Sequence, residues 1–199
     1  TSPNVRMLRF TLLNFITGVI IRHWQLAQEG EKANKKFALI IHNDTRRNAH
    51  DWQWETVGNL LELFAEKAKT KDSDLRRLFD ECYADLSRSV TANGGKMPLS
   101  DNCFEEVCKA LIGGDVMKVR VNSDNKVSAL LDENSELNLR TPFNIFIGGS
   151  ILDRGITIPN LMGFYYGRNP KTMQADTVLQ HSRMYGSRDR ADLAVTRFY

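Results

Sequence analysis

Residues 144–188 read NIFIGGSILDRGITIPNLMGFYYGRNPKTMQADTVLQHSRMYGSR, and the fold turns on them. An apolar run, Asn144 to Ile147, meets Gly148-Gly149-Ser150, followed by Asp153-Arg154-Gly155 and Thr157-Ile158-Pro159. A second apolar run covers Leu161 to Tyr166. Short continuous apolar runs bounded by glycine and proline are the pattern of strands buried on both faces of a parallel sheet. The spacing then becomes helical over Thr172 to Tyr185, ending in Gln180, Arg183, Gly186 and Arg188.

Outward from this stretch the same alternation continues. Phe37 to Ile41 is another unbroken apolar run, and HNDTRRNAH over 42–50 reads as a polar loop. Residues 5–28 read as an amphipathic leading helix, with Leu8, Leu12, Phe15, Val19 and Leu26 at helical spacing. Its apolar centre, Phe10 to Ile21, is too short to span a bilayer, which needs about 20 residues. Helical spacing recurs in Trp52, Val57, Leu60, Leu61, Phe64 and Ala68, and again from Leu75 to Val90 before Gly94-Gly95. Ser100 reads as the N-cap of a helix to Ile112 that Gly113-Gly114 closes. Val116 to Val121 reads as a strand, Val127 to Leu139 is ambiguous between a short helix and none, and Leu193 to Phe198 reads as a last strand. Alternating strands and helices predict an α/β fold with a mostly parallel sheet covered on both faces. Residues 70–115 read as a helical insertion in a single domain over 1–199, with 1–36 as its leading helix. The chain starts at Thr1 and stops within an apolar run, so it reads as a piece excised from a larger protein.

Composition narrows the function little. Hydrophobic residues are 42% and charged residues 26%, the balance of a soluble globular domain. A net charge of +3 permits an anionic partner without requiring one. The surplus lies where the motifs lie, since residues 141–199 hold arginines, one lysine and aspartates but no glutamate. Cys82, Cys103 and Cys108 fit neither a zinc finger nor a disulfide framework, and read as buried small residues in a cytoplasmic, reducing setting.

In an open α/β sheet ligands sit beyond the carboxyl ends of the strands. Two loops follow predicted strands directly, His42 to His50 and Gly148 to Pro159, and both should lie on that edge. Glycines after a strand let backbone N–H groups approach a phosphate, and Ser150 adds a hydroxyl, although a tight turn needs glycine as well. Thr45, Arg46, Arg47 and Asn48 are suited to donate to backbone phosphates. Arg183 and Arg188 carry a permanent charge and a fork that fits phosphate oxygens, unless they pair with Asp189 and Asp192.

Taken in order, these segments resemble motifs IV, V and VI in the second, RecA-like lobe of superfamily 2 helicases. They most resemble the Z-one (Z1) domain, known from helicase–endonucleases of bacterial restriction systems. Arg154-Gly155-Ile156 matches the core of motif V, with Thr157 and Gly149 where that motif has Asp and Thr. Motif VI spaces two arginines three apart, whereas Arg183 and Arg188 are five apart with Gly186 between. The resemblance implies a three-layer lobe handling ATP with Mg2+ at the seam with an N-terminal Walker-motif lobe of the same polypeptide. It implies ATP contacts from Asp153, Gly155 and Gln180, and an arginine finger from Arg183 or Arg188, with Arg183 favoured. It implies DNA-backbone contacts from Thr45, Arg46, Arg47, Asn48, Gly149, Ser150 and Arg154, and other restriction-system subunits as partners. No membrane partner is implied.

The Walker phosphate cradle itself is missing: before Gly95-Lys96, Val90 stands where its first Gly belongs, and Met97 replaces Ser/Thr. Alone, the chain is expected not to hydrolyse ATP. Two rival readings remain. His42, Asp44, His50 and Asp51 are metal-ligand types, so the 42–51 loop could serve a metal-dependent nuclease, against the neighbouring Arg46-Arg47. The altered motif spacings also fit a degenerate lobe that only binds partners. Trp52 and Trp54 could stack on bases but at helical spacing read as core.

Overall fold

The computed structural model describes residues 3–31, 34–42, 47–121, 131, 133, 136–148, 158–167 and 188–199, leaving out the side chains of 3, 4 and 47–51. Five parallel strands form its sheet: β1 (Phe37–His42), β2 (Val116–Arg120), β3 (Phe143–Gly148), β4 (Leu161–Tyr166) and β5 (Arg197–Phe198), in the order β2-β3-β1-β4-β5. Five helices accompany them: α1 (Pro3–Gln28), α2 (Arg47–Lys69), α3 (Ser73–Ala92), α4 (Ser100–Gly113) and α5 (Arg190–Val195). The fold is α/β, as the alternation predicts.

β1 is central, and β1 and β3 are buried at every position, which is why each reads as an unbroken apolar run. Phe37 pairs with Phe143 and His42 with Gly148, so the two strands end level. On its other side β1 pairs Ala38 with Leu161 but Leu39 with Gly163, leaving Met162 as the extra residue of a bulge. A Cβ on Gly163 would come 2.7 Å from Leu39 Cδ1, so a side chain there would force the Leu39 side chain to shift.

The strands alternate between two cores. Phe37, Leu39, Ile41, Phe143, Ile145 and Ile147 face the larger one, which also holds the buried residues of all five helices. Ala38, Ile40, Phe146, Leu161 and Phe164 face a smaller one, closed among the described residues by Val121, Leu137, Leu139 and Ile158. The helix expected over 172–185 lies outside the described residues.

α1 departs from the amphipathic expectation. From Thr11 to Val19 every residue is buried, because the helix lies between the sheet and the outer helices α3 and α4. Each buried side chain of Leu or Phe type contributes ~1.5–3 kcal/mol, and Leu8, Leu12, Leu13, Phe15, Ile16 and Ile21 are all at most 2% exposed. The polar residues within this helix are satisfied locally or by neighbours. Thr11 and Thr17 donate to the carbonyls of Met7 and Leu13, and Asn14 donates to Asp85 while accepting from the Tyr199 hydroxyl. α3 and α4, in the segment read as an insertion, contribute Phe79, Cys82, Leu86, Phe104 and Val107 to the same core.

Several local expectations change. The last strand is only Arg197–Phe198, because residues 190–195 form α5 instead; Ala, Leu and Val in so short a run suit either state. α5 is held by Asp192, whose carboxylate is bonded by Arg22 Nε at 2.8 Å and Lys35 Nζ at 2.7 Å. Ser100 is the first residue of α4, with Leu99 at the cap position and no side-chain cap; Ser100 Oγ accepts from Arg76 instead. Gly114 does close α4 in the left-handed conformation, at φ 75°. α2 starts at Arg47, so Arg47 and Asn48 belong to its first turn rather than to a loop. Within α2, Val57, Leu60, Phe64 and Ala68 are buried as the spacing predicts, but Trp52 is 49% exposed. No helix among the described residues is long and apolar enough to cross a membrane.

Candidate functional site

The carboxyl ends of β3, β1 and β4 lie side by side, and the candidate segments are joined to them. His42 ends β1 fully buried, paired with Gly148 on one side and Tyr166 on the other. Its ring stacks on Tyr166 at 5.5 Å, with 5° between planes, and on Phe164 at 6.1 Å. Phe164 in turn stacks on the half-exposed Phe198 at 5.1 Å. Two glycines let backbones close together at this edge. The Gly167 N–H donates to the His42 carbonyl at 2.9 Å, and a Cβ on Gly167 would sit 2.8 Å from that oxygen and 2.7 Å from Gln53 Nε2. A Cβ on Gly148 would collide with the Val121 carbonyl, and Val121 N–H donates to Ile147 at 2.9 Å. Gly148 thus lets the backbone after β2 close on the end of β3, while Gly149 and Ser150 lie outside the described residues.

Of the predicted site residues, Thr45, Arg46, Gly149, Ser150, Asp153, Arg154, Gly155, Gln180 and Arg183 lie outside the described residues, as do the side chains of Arg47 and Asn48. What the fold brings together is their points of attachment, since the 43–46 segment leaves from His42 and the segment starting at 149 from its partner Gly148. Arg188 is placed elsewhere. Its guanidinium donates to the carbonyls of Leu161 and Ile158, at the start of β4. That is the opposite end of the sheet from His42 and Gly148. Asp192, one possible partner for the motif arginines, is bonded by Arg22 and Lys35.

A family model described as the Z1 domain matches residues 7–199, from the first turns of α1 through β5. The chain belongs to the Z1 domain family. No curated protein and no solved structure matches it.

One cluster of this Z1 domain is invisible in the sequence alone. Lys118 Nζ lies 4.2 Å from the centre of the Trp54 ring and Arg120 Cζ 5.1 Å from it. Both cations project from edge strand β2 over α2, where a Cβ on Gly58 would strike the Lys118 ammonium. Burial pushes the Lys118 amine below its usual range, Glu62 opposing and Arg120 reinforcing the shift. Two cations alternating on a predicted edge strand are the signal available, but nothing in the sequence says which aromatic they cover.

The thiols behave as the cysteine reading expects. Cys82, Cys103 and Cys108 are buried and free, and burial raises all three, Cys103 to about 12, so none is a ready thiolate. The metal-site reading names His42, Asp44, His50 and Asp51; His42 is fully buried at the end of β1, and the side chains of the other three lie outside the described residues. Among the described residues no three His, Cys, Asp or Glu side chains are grouped to hold a metal ion.

Proposed function

We propose that this Z1 domain is the second motor lobe of a nucleic-acid-dependent ATPase, a helicase or translocase of a bacterial restriction or defence enzyme. The observation that carries the proposal is the pairing of His42 with Gly148 in the middle of an all-parallel sheet. It joins the Thr45-Arg46 segment and the Gly149-to-Gly155 segment to adjacent strand ends, on the edge where such sheets bind ligands. Both segments are suited to phosphate by their residue types alone, independently of where the sheet puts them.

In this function Thr45, Arg46, Arg47, Asn48, Gly149, Ser150 and Arg154 hold the DNA backbone without reading its sequence. A first lobe bearing the Walker motifs holds ATP and its Mg2+, and Asp153, Gly155 and Gln180 face that seam. Arg183 supplies the charge that stabilises phosphoryl transfer. Arg188, bonded to carbonyls at the far end of β4, supports the fold. The buried reduced cysteines suit a cytoplasmic protein.

The test is steady-state ATPase of the full-length protein with and without duplex DNA, beside Arg183→Ala and Arg188→Ala. Arg183→Ala is expected to lower the DNA-stimulated rate by on the order of 10³-fold, the usual worth of an arginine finger. Arg188→Ala is expected to lower the melting temperature more than the rate. A DNA-stimulated rate that survives Arg183→Ala defeats the assignment, and a rate that DNA never stimulates defeats the motor function altogether.

A further inference from the structure

Away from the strand ends, α1 and α3 enclose a pocket of about 260 Å³ lined by Arg6, Arg9, Asp74, Arg77, Leu78 and Glu81. A water occupies ~30 Å³ in the liquid, so the pocket has room for one oxyanion and part of its hydration shell. Arg6 and Arg9 stand one turn apart on α1 and Arg77 faces them from α3.

The charges in the pocket are unevenly satisfied. The Asp74 carboxylate is taken, with Arg77 at 3.0 Å and Lys67 at 3.5 Å. Among the described residues Arg6 and Arg9 have no carboxylate within ion-pair distance, and Glu81 bonds neither of them. Arg9 Nε is shielded from solvent and donates no hydrogen bond there. A guanidinium N–H withdrawn from water without an acceptor is costly, more so than a neutral group. An acceptor with several oxygens, small enough for the pocket, can engage the Arg9 and Arg6 side chains together, neither of which has a carboxylate partner among the described residues. Phosphate has that shape, and the guanidinium fork matches it. A lone carboxylate such as Glu81 offers fewer acceptors and lies on the exposed side of α3.

We propose that this pocket binds a phosphate oxyanion through Arg6 and Arg9, and that in the working protein the oxyanion belongs to a nucleic-acid backbone. Only that choice of source rests on the motor function proposed above. It gives the domain a phosphate site on its helical layer, separate from the strand-end segments.

The test uses the full chain and three probes: a fluorescent single-stranded oligonucleotide, the matching duplex, and inorganic phosphate. Anisotropy over a salt series gives the dependence of log Kobs on log[salt], and calorimetry gives phosphate binding. Arg9→Met keeps the aliphatic stem, and Glu81→Gln, on an exposed residue, removes the opposing charge without touching the core. With the oxyanion in place, Arg6→Gln with Arg9→Met weakens oligonucleotide binding about tenfold or more. It also flattens the salt slope by ~0.7–0.9 for each phosphate no longer neutralised, and Glu81→Gln tightens binding several-fold. Inorganic phosphate bound in an Arg9-dependent way, with oligonucleotide binding unchanged, keeps the pocket and assigns it a free phosphate. If neither the arginine variant nor Glu81→Gln alters binding of any probe, the pocket holds no oxyanion and the proposal fails. That failure leaves Arg183-dependent ATPase untouched, whereas failure of the motor function leaves the inorganic-phosphate result standing.

Discussion

The two ends of the sheet are built on different chemistry. At the start of the strands polar side chains are bonded to the backbone of neighbouring segments. Asn144, fully buried, donates to the carbonyls of Phe37 and Thr141 and accepts from the N–H of Arg140 and Thr141. Lys36 donates to Leu139, Asn160 to Lys36, and the His23 ring to Lys35 at 2.6 Å. Arg22, Lys35 and Asp192 form a buried ion cluster beside them, and Arg188 holds the start of β4. At the other end the strands finish in stacked rings and in glycines where backbones touch. Charge at the first end is committed to the fold. At the second end the three central strands close through rings and backbone contacts, and the cations of edge strand β2, Lys118 and Arg120, lie over Trp54. An arginine in this chain is therefore informative about function only once its end of the sheet is known.

The contrast can be broken in three ways, taken from the largest effect down. Asp192→Ala strands the Arg22 charge in a site where both side chains are at most 6% exposed. It is expected to cost ~3–5 kcal/mol, read as a fall in the urea midpoint. The double variant Arg22→Met, Asp192→Leu should recover most of that stability. A single-variant effect below about 1 kcal/mol would mean the cluster does not hold the first end. Gly148→Ala tests the second end. Its Cβ must displace the Val121 carbonyl, an overpacking cost of ~1–3 kcal/mol, and chemical-shift changes should centre on β2 and β3. An unchanged midpoint would show that the two strands part freely there.

The smallest effect concerns pH. Burial holds the His23 ring below its usual 6.5, with Arg22 adding to the shift and the Lys35 carbonyl opposing it. The unfolded chain then binds more protons than the folded one below about pH 6.5, so stability falls with pH there and levels off below the folded value. Urea unfolding from pH 8 to pH 5 should show this decline, and His23→Gln should reduce it. An identical decline in the variant would place the titrating group elsewhere.

Much of the fold is legible in the residues alone. β1, β3 and β4 are the three strongest apolar runs because each is covered on both faces, and α2, α3 and α4 have the spacing of helices with one buried stripe. α1 misleads because Thr11, Asn14 and Thr17 look like a solvent stripe; each is buried with a partner that lies far along the chain or one turn back. α5 misleads because Ala, Leu and Val in so short a run suit either state, and the ion pairs that anchor its Asp192 come from Arg22 and Lys35, far away in the chain. The same holds for the site. That the segments at 43 and 149 leave from paired strands depends on β3, not β2, lying beside β1, an order the apolar runs do not announce. That Arg188 turns to the other end, and that Trp54 collects Lys118 and Arg120, depends on packing no local pattern encodes.

The central place of β1 has a consequence for the order of events during synthesis. α1 to α4 bury Leu12, Phe79, Phe104 and Val107 against one another, and all of these are made before residue 113. β1 is made early too, yet Phe37 must wait for Phe143 and Ala38 for Leu161. Through that interval a strand of six apolar or buried residues has both edges bare, and such edges invite pairing with other chains. The helical layer, made first, can cover one face of β1, but both of its edges stay bare until β3 and β4 are made.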